Sequence, residues 1–385
     1  MEKNEKKIAI FTGYFLPFLG GIERYTDKLA DQLQSLGYKI IIVTSNYDNF
    51  KSEEKGKYHI FRIPIYSLFH KRYPIPKKNK EYKKIMNKLN NENIDAVICN
   101  TRFHLTSLIG GKFAKKNKIP VLVIEHGSNH FTVNNKILDI FGAIYEHGLT
   151  MHLKKFVHKF YGVSKRCNDW LKHFKINANG VFYNSIDENA YNNFKNKHYL
   201  KKNPNKIVIT FAGRIIKEKG IIELLEAYKK ITKKYDNIEL YIAGDGPILE
   251  QLKKDYQHKN VHFEGKLTYN EVMSLYNDTD IFVHPSMFPE GLPTVILEAG
   301  IMKCAIIATD RGGTIEVIND EKYGIIVGEN IDSITEKICY LLDNKDEINK
   351  RKENIHKRIM KNFTWKVTAK QVSDELEVMI NEKSN

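Results

Sequence analysis

Two glutamates eight positions apart, Glu290 and Glu298, bracket the stretch 290–298 of the chain. An apolar run, 281–283, precedes them and reads as a buried strand. The chain then breaks at Pro285, crosses a turn and re-enters as an apolar helix beginning near Pro293. Proline suits that place, because the N–H it lacks has no helical partner in a first turn. The backbone amides of Gly291 and Leu292 stand at the helix entrance, where unpaired N–H groups and the helix dipole favour an anion such as phosphate. A carboxylate is repelled by phosphate, so Glu290 and Glu298 need a different partner. Adjacent hydroxyls of a sugar or a ribose serve, since an ionised carboxylate accepts hydrogen bonds through both oxygens. Phosphate and two diols together describe a nucleotide sugar. The competing reading is an ordinary strand–loop–helix with a solvated Glu290 and a capping Glu298.

Cations are placed to complete that chemistry. Arg214 and Lys219 follow a strand at 207–211 and lie at its carboxyl end, where two positive charges would neutralise a diphosphate and stabilise it as it leaves. The next strand ends in AGDGP (243–247), whose Gly244 lets the backbone approach a ligand closely, although a tight turn explains the same glycines. In the first half, VLVIEHGS (121–128) ends a strand at Glu125 and His126. Glu125 is unusual at a strand end and is a candidate base for an acceptor hydroxyl. A lone histidine such as His126 is more often structural than functional.

The elements that must hold these groups alternate between strand-like and helix-like throughout, the α/β pattern of parallel sheets covered by helices. Strands are expected at 8–11, 39–44, 59–63, 96–99, 121–125, 160–163 and 181–183, then at 207–211, 240–243, 261–264, 281–283 and 305–309. Between the two series, 188–205 is polar, asparagine-rich and aperiodic, and reads as a linker. The expected organisation is a first domain over 1–187, that linker, a second domain over 206–362, and a closing helical segment over 363–385. Ligands of such sheets lie at the carboxyl ends of the strands, so a cleft between two domains is where substrate belongs.

The chain's 385 residues suffice for two domains, and 42% hydrophobic with 28% charged residues is the composition of a soluble globular protein. Four scattered cysteines without a Cys-x-x-Cys pair argue against a structural zinc or a disulfide framework and suit a reducing cytoplasm. No apolar run reaches the roughly 18 residues of a membrane span. The basic start followed by an apolar run has no small-residue cleavage site, and reads as a first strand rather than a signal peptide. The net charge of +15 falls in one half: residues 1–187 carry 31 Lys+Arg against 16 Asp+Glu, and residues 188–385 carry 30 of each. A basic half prefers anionic partners, namely nucleic acid, an anionic membrane surface or a phosphorylated substrate. No nucleic-acid recognition motif accompanies the charge.

In chain order, G-R-x-x-x-x-K-G (213–220), A-G-x-G-P (243–247), Y-x-x-T-D-I-F-V-H-P-S (276–286), P-E-G-L-P-T-V-I-L-E-A (289–299) and G-G-x-x-E (312–316) resemble the signature of the retaining glycosyltransferases of family 4. That family has the GT-B architecture, two Rossmann-like β/α/β domains facing across a cleft. The resemblance implies that Arg214 and Lys219 hold the donor diphosphate, that Glu290 contacts donor-sugar hydroxyls beside the amides of Gly291 and Leu292, that Glu298 accepts from the ribose, and that the backbone near Leu267 frames the base. Gly20-Gly21-Ile22-Glu23 resembles the family's G-G-x-E, whose glycines let a loop reach the diphosphate. Glu23 then either orders that loop or meets the acceptor. His126 occupies the position of a histidine that lies against the donor sugar near its anomeric carbon. Asn184-Ser185-Ile186-Asp187 matches the family's N-G-I-D, with serine in place of a common glycine. The motif D-x-D at Asp278 and Asp280 belongs to a different glycosyltransferase architecture, and its place before a strand marks it as structural, so no metal and no cofactor are expected.

What the resemblance implies for function is transfer from a nucleoside diphosphate sugar, with a uridine donor the default, to a glycan or a polyprenyl-diphosphate-linked glycan in bacterial surface polysaccharide, lipopolysaccharide or capsule synthesis. The leaving phosphate would deprotonate the acceptor. Two lysine-rich, aromatic-laced stretches, 66–84 and 151–160, suit an anionic bilayer or a lipid-linked diphosphate acceptor; in the second, Leu153, Phe156, Val157 and Phe160 would share one helix face, which a solvated basic face over a packed apolar stripe explains equally well. The protein would then be cytoplasmic and peripheral on the inner face of the cell membrane. A nucleotide-sugar epimerase of the same fold and a non-catalytic partner subunit are the alternatives. The first would act without acceptor, and the second would have lost site residues that are present here.

Overall fold

The computed structural model describes residues 5–18, 20–66, 73–130, 132, 135–201 and 203–384. They form two compact units, one comprising Met1–Tyr183 with Trp365–Asn385 and the other Asn184–Thr364. The first unit contains β1 (Lys7–Phe11), α1 (Gly21–Ser35), β2 (Lys39–Asn46), β3 (Glu53–Lys55), β4 (His59–Tyr66), β5 (Ile75–Pro76), α2 (Lys80–Asn90), β6 (Ala96–Asn100), α3 (Leu105–Asn117), β7 (Val121–Glu125), α4 (Lys136–Leu153), β8 (Lys159–Gly162), α5 (Lys165–Lys172) and β9 (Gly180–Val181). The second contains α6 (Ala190–Phe194), β10 (Ile207–Ala212), α7 (Ile221–Ile231), β11 (Ile238–Ala243), α8 (Leu249–Asp255), β12 (Val261–Gly265), α9 (Tyr269–Asp278), β13 (Ile281–His284), α10 (Thr294–Ile301), β14 (Ala305–Thr309), α11 (Thr314–Val317), β15 (Ile325–Val327), α12 (Ile331–Asp343) and α13 (Lys345–Asn362). The last helix, α14 (Trp365–Ser384), returns to the first unit.

In the first unit the sheet runs β3-β4-β2-β1-β6-β7-β8-β9, with β5 paired to β4. β6 and β7 are buried along their whole length, as strands covered on both faces must be. Tyr25, Leu29 and Leu33 of α1 join Trp365, Val372 and Leu376 of α14 in one core cluster, and Ile85, Leu89 and Phe113 of α2 and α3 join another. Each aliphatic side chain so buried contributes about 1.5–3 kcal/mol, which is what holds the distant α14 to this sheet. The second unit has a wholly parallel sheet, β12-β11-β10-β13-β14-β15. Leu224, Tyr228, Ile334 and Ile338 from α7 and α12 pack with Ile209 and Phe211 of β10.

The asparagine-rich segment is not a free linker. Ala190 and Phe194 are buried, Asn277 Nδ2 donates to the carbonyls of Lys195 and Lys197 at 3.1 Å, and the amides of Tyr199 and Leu200 donate to Asp278 at 2.7 and 2.9 Å. Polar residues without helical periodicity read as solvated because their partners lie far away in the chain. The units accordingly divide at Tyr183 and Asn184, and again at Thr364 and Trp365.

Both sheets reverse their winding direction once. In the first, successive strands step outward from β1 to β2 and then from β6 to β8, so the reversal lies between β1 and β6. In the second it lies between β10 and β13. Loops at the carboxyl ends of such a pair splay apart, and the crevice they leave is where ligands of these sheets sit.

Candidate active site

In the second unit, the loops after β10 and β13 meet at that reversal. The chain leaves β10 through Gly213 and Arg214, is anchored by fully buried Ile215, and makes a short 3-10 turn at Lys217–Lys219. Met287 N donates to Glu218 O at 2.8 Å and so ties the loop after β13 to that turn. Gly220 has φ +70, and a Cβ there would stand 2.0 Å from Pro285 O. Only glycine allows both the backbone conformation and this approach.

The loops bring Lys219 and Glu290 into an ion pair. Ser286 Oγ donates to the same Glu290 oxygen at 3.1 Å, and His284 Nε2 lies 3.4 Å from it, an electrostatic neighbour more than a well-formed hydrogen bond. Burial alone would raise the Glu290 carboxyl. His284 and Lys219 outweigh burial and hold the group down to about 2, so it is a carboxylate at any working pH. Lys219 Nζ also stands 5.2 Å from the centre of the Phe288 ring. Arg214 is exposed and has no ion-pair partner among the described residues. His284, buried to 2%, lies within the sequence motif, but no role was expected of it.

Gly291 and Leu292 have their carbonyls fixed, the first by Gly313 N at 2.7 Å and the second by Asn184 Nδ2 at 2.9 Å. Their peptide planes are thereby set at the start of α10, whose N-cap is Pro293 with no side-chain cap. Glu298 is half-buried on α10, within electrostatic reach of the buried Tyr276 hydroxyl. Leu267, half-buried, directly precedes the Thr268–Glu271 capping box of α9. Gly244 also serves the packing of the loops. A Cβ there would stand 1.8 Å from Gly213 O, so the close approach it permits is to the neighbouring loop. Asp278 accepts from His198, Tyr199 N and Leu200 N, and Asp280 from Val208 N and Lys352 Nζ, so both carboxylates are engaged in structure.

In the first unit, α1 starts at Gly21 with Gly20 as an N-cap that offers no side-chain bond. Glu23, 5% exposed, turns back onto the amides of Gly20 and Glu23 itself, and burial raises its carboxyl despite them. It orders the loop, and the acceptor assignment gives way to that role. Glu125 is also corrected. It is fully buried, accepts from Thr101 Oγ1 at 3.2 Å, Arg102 N at 3.2 Å and Gly127 N at 2.9 Å, and faces the equally buried Arg102 guanidinium at 3.4 Å. A carboxylate so engaged is not a base for an incoming hydroxyl. His126, the next residue, packs edge-on against Tyr25, with Nε2 3.5 Å from Asn100 Oδ1. Burial first, and His104 second, lower its imidazole to about 3, so the ring is neutral.

The two basic stretches fare differently. Residues 67–72 of the first lie outside the described residues. The second is not one helix face: α4 ends at Leu153 and Phe160 belongs to β8, with both residues buried. The exposed apolar surface lies earlier. Ile137, Leu138, Ile140, Phe141 and Ile144 of α4 are 54–68% exposed. Their helical spacing was legible in the sequence, but an apolar helix is ordinarily read as core. No described helix is long and apolar enough to cross a membrane.

Two family models match the chain, "Glycosyltransferase Family 4" over residues 19–190 and "Glycosyl transferases group 1" over residues 192–358. An uncharacterized glycosyltransferase of Methanocaldococcus jannaschii is 27% identical over 97% of this chain and 99% of its own. The phosphatidylinositol N-acetylglucosaminyltransferase GPI3 subunit of Saccharomyces cerevisiae is 23% identical over 82% of this chain and 70% of its own. Among solved structures, the HepE protein of Anabaena in complex with UDP superimposes with a TM-score of 0.72 at 15% identity, covering 97% of this chain and 100% of that one. The likeness establishes the GT-B fold.

Proposed function

The chain belongs to glycosyltransferase family 4, and on that premise we propose that it transfers a sugar, with retention of configuration, from a nucleoside diphosphate donor to a hydroxyl of a glycan or lipid-linked glycan. The observation that carries this reading is the Lys219–Glu290 pair beside Gly291 and Leu292 at the start of α10, with Arg214 on the loop leaving β10 at the same winding reversal of the second sheet. Arg214 and Lys219 supply cationic charge to the diphosphate, with the α10 amides beside them. Glu290 then exchanges its lysine partner for sugar hydroxyls, and Glu298 accepts from the ribose while Leu267 borders the base. With two side-chain cations neutralising the leaving group, the chemistry requires no metal. The bond from the anomeric carbon to phosphate oxygen breaks, the acceptor oxygen bonds to the same face of that carbon, and its proton passes to the departing diphosphate. His126 of the first unit is the partner proposed for the sugar, and its uncharged ring would not oppose the positive charge developing there. Gly20 and Gly21 present the amides of α1 to phosphate.

UDP in the Anabaena structure makes uridine the first base to try. The yeast relative's lipid-named activity, together with the exposed face of α4 and the lysines at its ends (Lys136, Lys154, Lys155), favours an acceptor presented at an anionic bilayer. That would place the protein on the inner face of a cell membrane, in surface-glycan synthesis. The test is incubation with a panel of nucleotide sugars and lipid-linked acceptors, with and without chelator, the product's anomeric configuration being read by NMR. Transfer with retention, not abolished by chelator, is expected. Inversion, or conversion of the donor in the absence of acceptor, would overturn the reading.

A further inference from the structure

Among the described residues, His130, His147 and His173 come together from three separate elements of the first unit: the segment after β7, the middle of α4 and the end of α5. One ligand nitrogen of each lies within 4.8 Å of the other two. We infer that these three histidines form a binding site for a divalent transition-metal ion of the zinc type, which staples the segment leaving β7 to α4 and α5.

Three independent features of the geometry point that way. Nε2 of His147 and Nε2 of His173 are 3.0 Å apart. Two nitrogens of a tetrahedral site with metal–nitrogen bonds of about 2.0–2.1 Å are separated by roughly 3.3 Å, so a few tenths of an ångström convert this contact into one edge of a coordination shell. His130 donates from Nδ1 to Glu146 Oε2 at 2.5 Å. That bond fixes the tautomer and leaves the Nε2 lone pair for a metal, in the arrangement by which a carboxylate orients a ligating imidazole. The rings are also held in place: His173 stacks on Trp170 at 4.8 Å with an 8° interplanar angle, and His147 packs against Phe174 at 4.6 Å.

Charge does not oppose a cation here. Buried Arg102 lies close by, but Glu146 and Glu125 both pair with it, leaving the group one negative charge in excess. Nitrogen donors select zinc, cobalt, nickel or copper over magnesium or calcium, which demand oxygen. His173 is exposed, which gives the ion a way in and leaves water to fill the fourth position. The consequence concerns the segment that begins at His126, since His130 lies on the same segment. A bound ion would link it to two helices across a long stretch of chain.

The experiment uses the untagged full-length chain, stripped with chelator and dialysed, then titrated with Co2+ and afterwards with Zn2+. One equivalent of Co2+ should produce the intense visible absorption of a four-coordinate nitrogen site, and Zn2+ should displace it. Zn2+ in hundredfold excess over its Kd should raise the thermal midpoint by roughly 5–10 °C. His173→Asn alters an exposed side chain, so its metal-free midpoint should match the parent while metal affinity falls at least tenfold. Glu146→Gln should weaken binding by about tenfold through the lost orienting bond. His152→Asn, on α4 but outside the cluster, should bind as the parent does. Absence of stoichiometric Co2+ uptake, or full binding by a His147→Asn/His173→Asn double variant, would overturn the site.

Discussion

Lys219 and Glu290 form an ion pair with side chains only 17% and 16% exposed, and that pair joins the loop after β10 to the loop after β13. Two groups proposed to meet different parts of a donor thus neutralise each other. The pair keeps each charge desolvated and aligned, so on the proposed reading a donor would exchange partners with it without reorganising the loops.

The pair and His284 hold the Glu290 carboxyl down to about 2 against an ordinary value of 4.5. A carboxyl depressed by folding stabilises the native state above its unfolded pKa, and that contribution is lost as pH falls. The window is therefore pH 4.5 down to about 2, and the contribution is on the order of 3 kcal/mol. Glu290→Gln should flatten the acid limb of stability there, measured by denaturant unfolding at stepped pH. An unchanged limb in the variant would mean that the carboxylate is not held in this way.

His126 supplies a second pH test. Its imidazole, depressed to about 3, is neutral throughout the pH 5–9 range in which transfer would be assayed. His126→Ala should lower kcat by about 10²–10³ if the ring contacts the reacting sugar. The pH profile of the residual activity should keep the parent's shape. Loss of an acid or base limb would show that His126 titrates during turnover.

Glu125 is predicted to matter for folding alone. Breaking its buried pairing with Arg102 should cost about 3–5 kcal/mol of stability. Glu125→Gln should show that loss in chemical denaturation while kcat of the folded protein stays within about threefold. A hundredfold fall in kcat without destabilisation would restore it as the acceptor's base.

How far the sequence could be read follows from what kind of signal each part carried. Continuous apolar runs such as 121–124 announce buried parallel strands, and glycine, proline and glutamate at fixed spacing announce the loop after β13. Pairwise relationships are different. Nothing in the spacing shows that Lys219 meets Glu290, that Glu125 spends its oxygens on Arg102, or that Gly244 makes room for Gly213 O. Those depend on which strands neighbour one another, and strand order is not written locally. The packing of 188–205 is hidden for the same reason, because Asp278, which accepts amides of this segment, is far along the chain. The exposed face of α4 is not legible because apolar helical spacing looks the same whether it faces a core or solvent.

That face carries the prediction about membranes. Ile140→Glu with Phe141→Glu should abolish binding to anionic vesicles in a sedimentation assay. Both side chains are more than 60% exposed, so folding stability should change by no more than about 0.5 kcal/mol. Parent binding should weaken as salt rises. Equal binding to neutral and anionic vesicles would leave the basic half without that role.

We propose that the second unit grips an activated sugar through Arg214, Lys219 and Glu290. The most direct test is sugar transfer by Lys219→Ala and Glu290→Ala, each confirmed folded by circular dichroism, on the donor that stabilises the parent best. Loss of transfer by at least about 10²–10³ in both variants is the predicted result. Parent-like turnover in either one would contradict the assignment.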